Sequence, residues 1–259
     1  MSNGWQPGAW PIVDHDGARE ALIEPARVIP RVVLPERCVI TFFGEQIERL
    51  LAQGSLRQVT QQHSTMGVHP VYVLRHDGEE VALFHPGLGA PLAAALLEEV
   101  IARGCNRFVM CGGAGVLDRA IARGHLLVPG AALRDEGTSY HYLPPSREVC
   151  ASAEAVTAIE AVLAERGIAW LRTTTWTTDA FYRETPARIA ARRAEGCLCV
   201  EMECAALFAV AQFRGVRLGA LLSGGDDVSG AEWDARDWQA QPDVRARMIA
   251  LAAEAVLRL

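Results

Sequence analysis

Val200-Glu201-Met202-Glu203-Cys204-Ala205-Ala206-Leu207-Phe208-Ala209-Val210-Ala211 sets two carboxylates at the mouth of an apolar run. From Leu198 to Ala211 nothing else is charged. The stretch reads as a short strand over residues 197–200 feeding a buried helix. That helix stops at Arg214-Gly215, with glycine just past the end, where a helix C-terminus commonly takes it. A bare carboxylate is costly to bury unless hydrogen bonds hold it. Glu201 and Glu203 fall where a helix N-terminus favours negative charge, beyond the carboxyl end of a strand, where open α/β sheets bind ligands. On residue type alone two readings stand level. Either the pair receives a polyhydroxyl ligand, or one acid caps the helix while its neighbour faces solvent.

Outward from that stretch, strand and helix patterns alternate. Upstream, strands are predicted over residues 38–43, 107–111, 126–133 and 168–174, and helices over 45–52, 91–103, 153–166 and around 189–193. Residues 69–76 and 80–85 alternate around Asp77-Gly78, the signature of an antiparallel hairpin. Downstream come a strand over 217–222, a loop over 223–230 and a closing helix over about 238–257. Residues 112–115 read as a glycine turn, and 134–145 and 176–186 as polar loops. The pattern predicts an α/β single-domain sandwich with a central mixed, mostly parallel sheet flanked by helices. It occupies residues 38–259. Residues 1–37, rich in Pro and Trp and without a period, are predicted to be an irregular extension wrapping the core or a neighbouring subunit. Each polar or glycine-rich surprise follows a predicted strand, which places the candidate site in one crevice along the sheet.

Composition narrows the chemistry. The chain has 259 residues, half of them hydrophobic, and a net charge of −6. That charge argues against a nucleic-acid partner, which needs clustered Lys and Arg on a basic face. The seven cysteines lie scattered with no C-x-x-C pair, a usage expected of reduced thiols in the cytoplasm. Cys197 and Cys199 alternate along a strand and read as core rather than as metal ligands, so no metal is expected. No apolar run reaches membrane-spanning length and no signal-peptide pattern opens the chain, so neither export nor a membrane partner is expected.

Several stretches could carry chemistry. Gly87-Leu88-Gly89-Ala90 opens a helix after a strand, as phosphate-binding glycines do. A dinucleotide-binding oxidoreductase, however, needs an acid at the end of the next strand, where Met110-Cys111 stand. Gly112-Gly113-Ala114-Gly115 would let backbone approach a ligand or simply make a tight turn. Asp226 and Asp227 follow a strand, where a carboxylate can serve as a general acid or cap a solvated turn. No G-x-S-x-G elbow recommends Ser223 as a nucleophile. His85 and His141 fall in candidate loops, and structural histidines account for both.

Taken in order, these residues resemble a known family. Residues 200–207 look like the V-E-M-E-A-A-A-L signature of the nucleoside phosphorylase and nucleosidase superfamily. Residues 112–115, and 121–129 with their Ile-x-x-Gly-His-x-x-Val-Pro pattern, resemble its glycine turn and the strand that follows. Residues 134–142 are similar to a uridine phosphorylase loop, 178–182 to the aromatic base-pocket segment, and 223–226 to the S-D loop of purine-type members. The resemblance implies an enzyme cleaving the N-glycosidic bond of a nucleoside to free base and sugar, with a place in nucleotide salvage. It implies a ribose held by Met202 and Glu203 with Glu201 in support, a base stacked on Phe181, and Asp226 protonating or hydrogen-bonding that base. Cleavage builds positive charge on the sugar and negative charge on the base, which suits a nearby carboxylate and a proton donor.

The family's default acceptor is phosphate, as co-substrate and without any other cofactor. Here the sequence departs from the pattern. The phosphate loop reads Gly44-Glu45-Gln46-Ile47-Glu48-Arg49, Met110 takes the place of a second arginine, and Arg57 is the nearest candidate for a third. The resemblance places the phosphate or water pocket at Gly44, Arg49, Gly87, Gly112 and Gly113. Arg49, shifted by one position, would grip phosphate; otherwise Glu45 or Glu48 would activate water, giving Asp226, Glu203 and Glu48 as the catalytic set. Phosphorolysis, hydrolysis and catalysis-free nucleoside binding therefore all stay open at this point. So does the base. Asp226 leans toward purine and residues 134–142 toward uracil, although no Gln-x-Arg pair stands at Thr185 and Ala187. Family members form dimers or hexamers, so a homo-oligomer is expected.

Overall fold

The computed structural model describes residues 10–238, 240 and 242–259; the first nine residues of the expected extension, and Gln239 and Gln241 near the start of the closing helix, lie outside the described residues. The elements run α1 (Pro25–Val28), β1 (Arg37–Thr41), α2 (Gly44–Ala52), β2 (Leu56–Ser64), β3 (Gly67–His76), β4 (Glu79–Phe84), α3 (Ala90–Ala102) and β5 (Arg107–Val116). They continue β6 (Leu126–Asp135), β7 (Glu148–Cys150), α4 (Ala153–Glu165), β8 (Trp170–Thr178), α5 (Pro186–Ala194), β9 (Cys197–Glu201), α6 (Cys204–Arg214), β10 (Arg217–Asp227) and α7 (Pro242–Leu257). All ten strands join one mixed sheet.

The layering follows from strand periodicity. On β5, Phe108 and Met110 point to one face, where α3 and α6 bring Leu96, Leu97, Leu207 and Phe208. Val109 and Cys111 point to the other, where α4 and α7 bring Val156, Ile159, Leu251 and Val256. Covering both faces makes the central strands continuous apolar runs. Each large side chain so buried contributes roughly 1.5–3 kcal/mol. Helix α6 is buried along nearly its whole length and ends on Gly215 at φ 72°, a left-handed turn that a residue with a Cβ adopts only at a cost.

In several places the structure departs from the pattern reading. Residues 112–115 do not form a turn. They are the second half of β5, where Leu222, Ser223 and Gly224 of β10 pair in parallel with Gly112, Gly113 and Ala114. Residues 223–227 likewise belong to β10, with a bulge between Gly224 and Asp227, and residues 176–178, read as loop, finish β8 with Trp176 fully buried. Strands β2 and β7 were not anticipated. The first is a polar edge strand with little alternation, and the second is three residues long.

The extra strand length closes the sheet on itself. β10 pairs with both β5 and β6, and β9 with both β5 and β8, so β5, β10, β6, β8 and β9 form a ring. Its closing ladders are short, Gly115 opposite Val200 and Val116 opposite Cys199 on one side, Leu222 opposite Leu127 and Ser223 opposite Leu126 on another. This closure carries Glu201 and Glu203 to within reach of β5 and β10.

Candidate active site

A cavity of about 1130 Å³ opens where β1, β4, β5, β9 and β10 end, roofed by residues 181–186 and 228–238. Its walls have three chemically distinct ends.

At the first end Glu201 and Glu203 part company. Glu201 is a brace. Its carboxylate accepts hydrogen bonds from Thr177 Oγ1 at 2.5 Å, Thr175 Oγ1 at 3.3 Å, Glu203 N at 2.7 Å and Cys204 N at 2.6 Å. Both threonines project from β8, whose parallel ladder sets Thr177 opposite Glu201. Burial drives the Glu201 pKa upward while Thr177, Cys204 and Glu203 pull against it, and four donors are the environment of an ionised carboxylate. Glu203, the residue before α6, is also buried, yet the one hydrogen bond its carboxylate takes from another loop is the Gly89 N–H on Oε1, at 2.5 Å. Burial, and then the charge of Glu201, raise its pKa to about 8. Met202 lines the cavity between them. In the Gly87–Gly89 loop the Gly87 amide thus goes to His85 and the Gly89 amide, at φ 87°, to a carboxylate.

At the second end Asp226 leans over β5. A Cβ on Gly115 would lie 3.4 Å from Asp226 Oδ1 and 3.1 Å from Val200 Cγ1, so glycine is what lets the carboxylate lie there. Its Oδ2 accepts the indole N–H of Trp233 at 2.7 Å. Neighbouring Asp227 faces away and anchors the roof. It accepts from Ser229 N and Oγ and from the Arg236 guanidinium at 2.6 Å, while its backbone bridges Asp234. Phe181 sits half exposed at the mouth and Tyr182 almost fully exposed beside it, their ring centroids 4.1 Å apart. Glu184, from the same turn, lines this end too, and burial followed by the charge of Asp226 lifts its pKa to about 7.

The third end is lined by Phe42, Phe43, His85, Gly87, Met110 and Gly113. Burial lowers the His85 pKa, Nδ1 accepts the Gly87 N–H at 3.0 Å, and the ring sits edge-on to Phe42, so the imidazole is neutral and held. Gly44, Gly112, Glu48 and Arg49 are not on the cavity wall. Gly112 faces the Phe42 ring, and Glu48 and Arg49 lie on the exposed side of α2. Arg57 sits on edge strand β2, ion-paired with Glu80 at 3.6 Å. Among the described residues, Arg245 of α7 is the one arginine on the wall. Its guanidinium donates to Glu45 at 2.7 Å and to Trp238 O at 3.0 Å and lies 5.4 Å from the Phe43 ring centroid.

The sequence reading brought forward Glu201, Met202, Glu203, Phe181, Asp226, Gly87 and Gly113, and the fold gathers all seven around one cavity. It did not find Glu184, Trp233, Thr175, Thr177 or Arg245. The two threonines lie just beyond the strand expected over residues 168–174, and which carboxylate they meet depends on the register of β8 with β9. His141 lies apart, in a shallow hollow beside Asp179. Among the described residues no three His, Cys, Asp or Glu side chains are arranged to hold a metal, and no helix is long and apolar enough to cross a membrane.

An α/β protein with a cavity at its strand ends, lined by buried acids and by aromatic rings, has the form of a small-molecule site. The sequence profile of the phosphorylase superfamily matches residues 36–258, and the chain belongs to that superfamily. Among curated proteins it is similar to guanosine phosphorylase of Halorubrum lacusprofundi, 29% identical over 146 residues that make up 56% of this chain and 61% of that one. The match thus spans about three-fifths of that relative's length. Among solved structures, uridine phosphorylase from Vibrio fischeri superposes with a TM-score of 0.75 at 20% identity, covering 87% of this chain and 93% of that one. AMP nucleosidase from Bacteroides thetaiotaomicron superposes with a TM-score of 0.70 at 22% identity, covering 86% and 88%. These two likenesses establish the fold, a mixed sheet flanked by helices.

Proposed function

We propose that the protein cleaves the N-glycosidic bond of a nucleoside, releasing the free base. The observation that carries this reading is Glu203, a carboxyl shut away from bulk solvent, sparingly hydrogen-bonded, and open to a cavity that Asp226 and aromatic rings also line. A carboxyl in that state is costly to bury unless a ligand completes its hydrogen bonds. Vicinal sugar hydroxyls do so, and positive charge growing on the sugar strengthens the contact in the transition state, where it accelerates the reaction. In this reading Met202 and Glu203 hold the ribose, Glu201 fixes the start of α6 beneath them, and Phe181 covers the base facing Asp226. The guanosine phosphorylase and AMP nucleosidase names of similar proteins support the bond broken. They divide on the acceptor.

The third end of the cavity favours water over phosphate as that acceptor. Phosphate binding draws on guanidinium forks. Arg245 is already committed to Glu45, and Phe42, Phe43 and Met110 are apolar. The reaction belongs to nucleoside metabolism and salvage. Seven unpaired thiols support a reducing, cytoplasmic setting. Leu22, Ile23 and Val33, all exposed before β1, support assembly with further copies of the chain.

Release of free base from a panel of purine and pyrimidine nucleosides tests the reading. We expect turnover of at least one, and a fall of roughly 10- to 100-fold in kcat/KM for Glu203→Gln, because an amide cannot ionise to meet the positive charge that grows on the sugar. No base from any nucleoside, or unchanged turnover in the variant, would remove the assignment.

A further inference from the structure

We propose that Glu184, the unpartnered carboxyl that lines the cavity near Asp226, is the acid that protonates the departing base. This deepens the nucleoside-cleaving reading, on which it rests, by identifying the donor that geometry selects. Asp226 is the obvious candidate from sequence, but its Oδ2 already receives the Trp233 indole N–H, as a carboxylate's oxygen would. Glu184 stands differently. The turn at Phe181–Arg183 and the N-cap of α5, where Thr185 Oγ1 accepts the Arg188 N–H, fix its backbone at the cavity rim. Its half-buried carboxyl lines the cavity and accepts no hydrogen bond from any described residue. Desolvated, unpartnered and beside a second acid, such a carboxyl keeps its proton.

The surrounding charges agree. Asp226 of β10 acts on Glu184 directly. The other acids on the cavity wall are Glu232 of the roof and Glu201 and Glu203 at the start of α6. On α5, Arg188 and Arg192 are turned away to Asp135, at 2.9 and 3.0 Å, and Arg183 is exposed to solvent. Arg245 of α7 is tied to Glu45. Among the described residues, no unpaired guanidinium lines the cavity to draw the proton off. A pKa of about 7 suits a general acid working near neutrality. Two carboxyls with divergent environments are the arrangement in which one serves as acid and the other stays charged.

In the step, the bond from sugar C1′ to the base nitrogen breaks and its electron pair passes to the base. The Glu184 proton moves to a ring nitrogen of that base, and an oxygen of water or phosphate bonds to C1′. Water that adds loses a proton to solvent, and solvent reprotonates Glu184.

The experiment compares two leaving groups. A nucleoside needs the proton, whereas p-nitrophenyl riboside expels a stable phenolate without it. Glu184→Gln is expected to slow base release from the nucleoside by about 100-fold or more, to abolish the decline expected of the wild-type rate as pH rises through about 7, and to leave p-nitrophenyl riboside cleavage unchanged. Asp226→Asn is expected to shift that decline to lower pH, because the neighbouring charge that keeps the proton on Glu184 is gone. Equal losses on both substrates, an unaltered nucleoside rate, or an unmoved pH limb would each overturn the assignment. A wild-type protein silent on both substrates would instead overturn the nucleoside-cleaving reading beneath it. Thermal midpoints of the variants matching wild type exclude misfolding as the cause of any loss.

Discussion

Glu201 and Glu203 stand two residues apart, yet the fold ties one down with four donors and leaves the other sparingly bonded on the cavity wall. Glu201 is saturated by Thr175, Thr177 and the first amides of α6. Glu201→Gln would set an amide N–H₂ against donors, and unsatisfied buried groups cost about 1–3 kcal/mol each. A lowered thermal midpoint is expected at every pH. Glu203 should behave in the opposite way. Its pKa is raised from an ordinary 4.5 to about 8, so the folded chain holds that proton more tightly than the unfolded chain. The resulting stability is fully present below about 4.5 and is lost as pH rises through about 8. The ligand-free protein should therefore melt at falling temperature across that window, Glu184 adding to the lower part of it. Glu203→Gln should flatten the trend, and a midpoint-against-pH series in which both proteins fall in parallel would refute it. The acids themselves were legible in the sequence, because two charges in fourteen otherwise uncharged residues demand an explanation. Which acid is sealed was not, since the threonine donors lie 24 and 26 residues away and reach Glu201 through strand register.

At the scale of elements, the same residue type does two jobs on paired strands. Gly219 on β10 lies under α4, where a Cβ would sit 2.9 Å from Ala155 Cβ and 3.1 Å from Ile159 Cδ1. Gly115 on β5 lies under the site, its Cβ position meeting Val200 Cγ1 and the Asp226 carboxylate. Overpacking either position costs about 1–3 kcal/mol, so Gly219→Ala and Gly115→Ala should lower the thermal midpoint alike. Only Gly115→Ala should also depress base release per folded molecule, because it displaces Asp226. Equal activities in the two variants would show that the Asp226 position does not depend on Gly115. This division explains why a glycine-rich stretch was misread as a turn. Gly-Gly-Ala-Gly has weak strand propensity, and what makes it a strand is the parallel partner β10, more than a hundred residues further along the chain. The helices were plainer, since α3, α4 and α6 carry their apolar residues within one local window and end at glycine or at a short polar turn.

For the molecule as a whole, alternation of strands and helices was enough to fix the layers, whereas closure of five strands into a ring was not. Closure rests on the two-residue ladders of β9 with β5 and β10 with β6, too short to leave a periodic trace in sequence. Its consequence is electrostatic. Curling the sheet converges Glu184, Glu201, Glu203, Asp226 and Glu232 on one cavity, against Arg245, whose charge is matched by Glu45. Two like charges 4 Å apart repel by about 1 kcal/mol in water and about 4 kcal/mol at an effective dielectric of 20. A phosphate dianion entering this cavity meets that repulsion from whichever of these carboxyls are ionised, and among the described residues no unpaired guanidinium on the wall offsets it, whereas water meets none. Base release is therefore expected to proceed at the same rate in phosphate-free buffer and in millimolar phosphate, with free sugar, and no sugar phosphate, as co-product. A saturable rise in rate with phosphate, accompanied by sugar 1-phosphate, would mean that cationic side chains reach the third end of the cavity from elsewhere, and the assignment of water as acceptor would fall while the roles of Glu203 and Glu184 stood.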